Sequence, residues 1–155
     1  MKRQLLKGLA MLMAIMALAL ITAVASANGQ SRTARANVPF AFVVGDQNLP
    51  AGAYTVASVT SAGDALRIRS DDAKNSTLRV TSALAGKSKQ AKLVFHRYGQ
   101  RYFLAEVWTT EADGRQLMKS RQERAIQKEL SSIASMSNKP AQRAYETVEV
   151  VATVQ

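Results

Sequence analysis

The sequence predicts a mainly β protein, an antiparallel small barrel or sandwich of about seven strands with one helix before the last strand. Three observations predict it. Short segments alternate apolar and polar residues along most of the chain, clusters of Gly, Pro, Asn and Asp punctuate them, and a single stretch after Ser120 changes to helical spacing.

The chain opens on a segment that does not belong to this domain. Lys2, Arg3 and Lys7 form a positive end, Leu9 to Val24 is uncharged and apolar, and Ala25-Ser26-Ala27 supplies the small residues that a signal peptidase accepts. Residues 1–27 are therefore expected to be a cleavable signal peptide, with the exported protein starting at Asn28 and keeping no permanent membrane anchor. Residues 28–36 are small and polar, with Arg32 and Arg35, and read as a flexible leader. The remaining residues, 37–155, suit a single β-rich domain.

Val38, Phe40, Phe42 and Val44 alternate with Pro39, Ala41 and Val43, which predicts a first strand with Pro39 near its start. Gly45-Asp46-Gln47-Asn48 and Leu49-Pro50-Ala51-Gly52 read as turns, and a strand follows from Ala53 to Val59. Leu66 and Ile68 alternate with Arg67 and Arg69; beyond the turn Asp71-Asp72-Ala73-Lys74-Asn75, Leu78 and Val80 alternate with Arg79 and Thr81. This predicts a half-buried hairpin with those four apolar residues on one face, and the pairing sets Arg79 opposite Arg67 or Arg69.

Ala91 to Tyr98 and Arg101 to Thr109 flank Gly99-Gln100, a two-residue loop suited to a type II′ turn. Leu93, Phe95 and Leu104 are expected on one face and Val94, Phe103 and Val107 on the other, so an element such as the helix should cover the second face. Ser120 and Glu123 form a capping box, and Ile126, Leu130 and Ile133 extend it into a helix from about Arg121 to Ala134. Glu146 to Val154 is the last strand, with Val148, Val150, Ala152 and Val154 on one face.

Four stretches carry a resemblance: Asn37-Val38-Pro39-Phe40-Ala41-Phe42-Val43-Val44-Gly45, Leu49 to Val56, Leu93 to Gly99, and Tyr102-Phe103-Leu104 through Trp108. In these the chain resembles small exported proteins of unassigned function from acidobacterial genomes, over roughly Asn37 to Arg124. The resemblance implies a bacterial envelope or secreted setting, and attaches no catalytic or binding residue.

Composition narrows the chemistry. The absence of Cys rules out disulfides and thiolate metal sites, so stability rests on apolar burial and backbone pairing. His96 is the only histidine, which rules out two-histidine metal sites and makes a structural role the expectation for that ring within its hairpin. Asp71 and Asp72 are adjacent carboxylates in a turn that favours Asp for its own sake. The aromatic residues Tyr98, Tyr102, Phe103 and Trp108 read as core, and no Gly-rich phosphate loop precedes the helix. No catalytic residue, metal ligand or cofactor site is expected, and no specific nucleic-acid partner.

The net charge of +10 falls to about +7 without the three charges of the signal peptide, which suits anionic surroundings. Arg67, Arg69 and Arg79 are candidates for an anion clamp, and Lys92, Arg97 and Arg101 for a basic β-sheet face. The expected function is a periplasmic or extracellular, non-enzymatic protein binding an anionic polysaccharide or phosphate-bearing envelope polymer. Two alternatives use the same strands: a lipocalin-like carrier of a small apolar ligand, and an outer-membrane β-barrel, disfavoured by scarce aromatic girdles.

Overall fold

The computed structural model describes residues 33–136 and 145–155, all within the compact unit Ser31–Gln155. The expected signal peptide, residues 1–27, and residues 28–32 of the expected leader lie outside the described residues. In chain order the elements are β1 (Thr33–Val38), β2 (Phe42–Val44), β3 (Gln47–Leu49), β4 (Gly52–Ser58), β5 (Ala65–Ser70) and β6 (Ser76–Leu84). They continue with β7 (Lys92–Tyr98), β8 (Arg101–Trp108), β9 (Gly114–Leu117), α1 (Arg121–Met136), β10 (Glu146–Val151) and β11 (Thr153–Val154). The protein is mainly β with one helix among the described residues, and none of its described helices is long and apolar enough to cross a membrane.

The strands run in the order β10-β7-β8-β9-β6-β5-β4-β1-β11, with β2 and β3 off this path. Two segments change partners as they turn a corner. Residues 76–80 of β6 pair with β5, whereas residues 81–84 pair with β9. At the other end, β10 pairs with β7, the Ala152 N–H donates to Ala91 O, and β11 pairs with β1. The ladders thus form two sheets joined at corner strands around one core, and not a closed barrel.

Among the described residues eleven strands replace the expected seven, for local reasons. Pro39 has no N–H to continue the β1 ladder, so the expected first strand breaks into β1, paired with β4, and β2, paired with β3 and β8. Val38, Phe40, Phe42 and Val44 nevertheless all reach the main core, as their alternation predicted. Residues 33–36, assigned to the leader from the sequence, instead belong to β1, where Ala34 and Ala36 are buried. Every ladder is antiparallel except β2 with β8, which is parallel at Val43 and Phe103.

The main core is aromatic at its centre. Phe42 meets Tyr54 edge-on at 5.0 Å and Phe95 at 5.3 Å, while Phe40 stacks on Tyr102 at 3.9 Å. Fully burying a ring such as Phe42 or Phe95 stabilises the fold by roughly 1.5–3 kcal/mol relative to leaving it in water. The Tyr54 hydroxyl donates to Pro50 O at 2.7 Å, which satisfies its one polar group. Burial, aided by the negative charge of Asp72, raises the Tyr54 hydroxyl above the ordinary phenol range.

The β7–β8 hairpin turns as expected, with Gly99 at φ 60 between Tyr98 and Arg101. Its faces differ from expectation at one residue. Phe95 pairs with Leu104 and Val94 with Glu106, leaving Ala105 as a bulge. The extra residue shifts the parity, so Val107 joins Leu104 in the main core while Phe103 packs on the far side with Val43 and Tyr98. That far side is covered by Ile126 and Tyr145 and not by the length of α1. Leu130, Ile133 and Met136 stay exposed, because the helix leaves the sheet after its second turn.

The β5–β6 hairpin departs by one register. Leu66 pairs with Arg79 and Arg67 with Leu78, so no two arginines face each other across the strands. Leu66 and Ile68 are buried, but Leu78 and Val80 turn outward and Arg79 turns inward with Thr77 and Thr81. The turn sets this register. Ser70 N–H donates to Asn75 O, Asn75 N–H to Ser70 Oγ, and both Ser70 Oγ and Lys74 N–H to Asp72 Oδ1, with Ala73 at φ 58 between them.

Two outcomes follow from this turn. An alanine in the left-handed region is strained by about 1 kcal/mol, so Ala73→Gly is expected to raise the midpoint of chemical denaturation. The bonds from Ser70 and Lys74 hold the Asp72 carboxyl below its ordinary range, so its stabilising contribution is present above the unfolded carboxyl pKa of about 4 and is lost as pH falls through the lowered value. The stability gap between wild type and Asp72→Ala should therefore be open at neutral pH and close on acidification, as read by denaturation at a series of pH values.

Candidate anion-binding pocket

The six cations expected at an anionic site do not converge. Arg67 and Arg69 lie exposed on the outward face of β5. Arg79 points the other way from β6, so the three-arginine clamp does not assemble. Lys92 is paired with Glu149 at 2.7 Å and Arg97 with Glu146 at 3.2 Å, because β10 lies directly beside β7. Arg101 is exposed at the β7–β8 turn. The basic face expected along β7 and β8 is thereby largely neutralised.

One of the six does reach a cluster. The Arg79 guanidinium crosses to the β2–β3 turn, where Nη2 donates to Val44 O at 2.9 Å. Gly45 makes room for it: its φ is 62, and a Cβ there would stand 2.4 Å from Arg79 Cζ. The Arg79 Nε is buried and has no hydrogen-bond partner among the described residues. An unsatisfied buried donor costs about 1–3 kcal/mol, so this side chain is held at a price in stability.

Arg79 lines an open pocket of about 260 Å³ together with Lys119, Arg121 and Arg124, which come from the segment entering α1. Asp46 is the single carboxylate on its lining, and none of the four cations is ion-paired among the described residues. Lys119 Nζ instead donates to Gln127 Oε1 at 3.0 Å and stands 5.8 Å from the Tyr145 ring centroid. Guanidinium groups bind phosphate and carboxylate oxygens in a bidentate manner, so the pocket suits an oxyanion. The sequence offered one signal for this cluster: three basic residues flank the helix cap at Ser120. Their meeting with Arg79 depends on the register of β6, which no local pattern reveals.

A buried polar network fixes the helix start beside the pocket. The Glu123 N–H donates to Ser120 Oγ at 3.0 Å, the expected cap. The second half of the capping box is absent. Glu123 is only 2 % exposed, and its Oε1 lies 2.8 Å from His96 Nδ1 and accepts from Tyr98 Oη at 3.2 Å. The Tyr145 ring covers His96 at 3.9 Å. Burial, with the Glu123 charge and hydrogen bond beside it, raises the Tyr98 hydroxyl above the ordinary phenol range. Among the described residues no group of three His, Cys, Asp or Glu is placed to hold a metal ion.

Two substitutions separate the cap from the network. Ser120→Ala should cost on the order of 1 kcal/mol, the usual value of a cap. Glu123→Ala should cost more, about 2–3 kcal/mol, because it strands two buried partners as well as weakening the helix start. Urea denaturation of both variants checks the order, and equal losses would mean that the network contributes nothing beyond the cap.

No protein-family model, curated protein or solved structure matches this chain.

Proposed function

We propose that this is an exported, non-enzymatic protein of the bacterial envelope that binds an oxyanion-bearing polymer, a phosphate-bearing or anionic polysaccharide chain, through the pocket of Arg79, Lys119, Arg121 and Arg124. One observation carries the reading. Four cations line a single open pocket with no carboxylate bonded to any of them among the described residues, whereas Lys92, Arg97, Arg35 and Arg115 are each paired with an acid. Like charges gathered at one place repel, and an arriving anion relieves that repulsion.

Three further observations support it over other classes. His96 is committed to Glu123 beneath Tyr145, which leaves the sole imidazole poorly placed for proton transfer to a substrate. A carrier would need space where Phe40, Phe42, Tyr54 and Phe95 pack against one another. A lipid-spanning barrel turns its apolar side chains outward, whereas here most apolar strand residues are buried in one core and the outward positions mix Arg67, Arg69 and Ser76 with Leu78 and Val80.

The test uses polyphosphate as the probe. It should raise the melting temperature of the purified protein at low salt, and the shift should fade as salt rises. The double substitution Arg121→Gln/Arg124→Gln should remove most of the shift, while Arg67→Gln/Arg69→Gln on the outer face should keep it. A full shift in the pocket variant would overturn the assignment.

A further inference from the structure

The surroundings of the pocket point to the kind of anion it meets. Val80 and Met118 both line the pocket, yet they are 68 % and 77 % exposed. Their position follows from the strand registers. Val59 N–H bonds to Ala65 O, Ala65 lies opposite Val80, and Met118 follows Leu117, which pairs with Thr81. Val59, Ala65, Val80 and Met118 thus form an apolar row across the outside of the sheet that ends at the cations.

A second row runs beside the first. Ala57 lies opposite Arg67, which lies opposite Leu78, and Leu78 is 57 % exposed. Arg67 thus stands within the second row and Arg69 in the row beyond it, while Lys119, Arg121 and Arg124 lie where the first row ends. Single exposed apolar residues are ordinary on a protein surface, but several together beside unpaired cations mark an interaction surface.

We infer that the pocket has a second anionic partner beyond the polymer, a lipid surface: the patch of Val59, Leu78, Val80 and Met118 enters the boundary of an anionic membrane leaflet while the pocket cations hold lipid phosphates. This rests on the pocket being an oxyanion site and adds a second source of the oxyanion. Charge complementarity selects this occupant. Phosphates of a leaflet lie in one plane above an apolar layer, an arrangement matched by cations at two sides of exposed Leu, Val and Met side chains. A soluble polyanion would use the cations and leave the apolar rows in water.

The experiment compares sedimentation of the purified protein with vesicles containing phosphatidylglycerol and with vesicles of phosphatidylcholine alone. Polyphosphate melting shifts and the oligomeric state by light scattering are measured in parallel. Wild type should sediment with the anionic vesicles only. Val59→Ser/Leu78→Ser should weaken that binding by about tenfold or more while keeping the polyphosphate shift, since both side chains are exposed and neither lines the pocket. Arg121→Gln/Arg124→Gln should lose both. If Val59→Ser/Leu78→Ser binds vesicles like wild type, the lipid inference is wrong and the pocket reading stands. If Arg121→Gln/Arg124→Gln keeps both responses, the pocket reading itself is wrong. If wild type is an oligomer that Val59→Ser/Leu78→Ser dissociates, the patch is a self-interface and the inference is overturned.

Discussion

A single buried carboxylate ties the helix to the sheets. Glu123 belongs to the first turn of α1, yet its side chain bonds to His96 and Tyr98 on β7. Its own N–H is capped by Ser120, so backbone and side chain of one residue anchor the helix start in two directions. The position of that start decides where Lys119, Arg121 and Arg124 stand, and hence whether the pocket exists. A carboxylate out of water is tolerated only where its hydrogen bonds are made, which is why the only histidine and Tyr98 are drawn to this spot. The remainder of α1 is held by little else, since Glu123 is its single buried residue.

The register of β6 is the second constraint. A shift of one residue exchanges the two faces of a strand, so the turn at Ser70 to Asn75 decides more than its own shape. It sends Arg79 inward to Val44 and Gly45, and it leaves Leu78 and Val80 outside. Exposing those two side chains forgoes roughly 2 kcal/mol each of burial. The same slip creates both halves of the candidate interface, the inward cation and the outward apolar rows. An arrangement that spends stability in this way at one site is commonly found where a protein binds something.

Much of the fold was legible in the sequence because its signals are local. Alternation placed Val38, Phe42 and Val44 in the core and, on β5, Leu66 and Ile68, while Gly99 marked a tight turn and Ser120 marked the helix start at Arg121. What stayed hidden depends on distant partners. Gly114–Leu117 is short and polar at its centre, and becomes a strand only because β6 and β8 flank it. The bulge at Ala105 has no local signature, and neither does the change of partner at Ala152. The candidate site was legible only in Arg79. Lys92 and Arg97 read as available charge because the glutamates that pair with them lie some fifty residues further on, at Glu149 and Glu146.

The strand that changes partner at Ala152 also sets the order in which the molecule can be completed. At this corner the ladders link β7 to β1 through the segment 146–154, with Ala34 paired to Val154 and Lys92 to Val151. The first and last strands of the domain are therefore neighbours, a topology of high contact order whose loop-closure cost falls late in folding. A chain emerging from the ribosome can form the β5–β6 and β7–β8 hairpins early, but this corner between the two sheets stays open until residues 146–154 have been made. Synthesis is thus accompanied by an unfinished domain, a state in which a polypeptide remains threadable and also most exposed to proteases and aggregation.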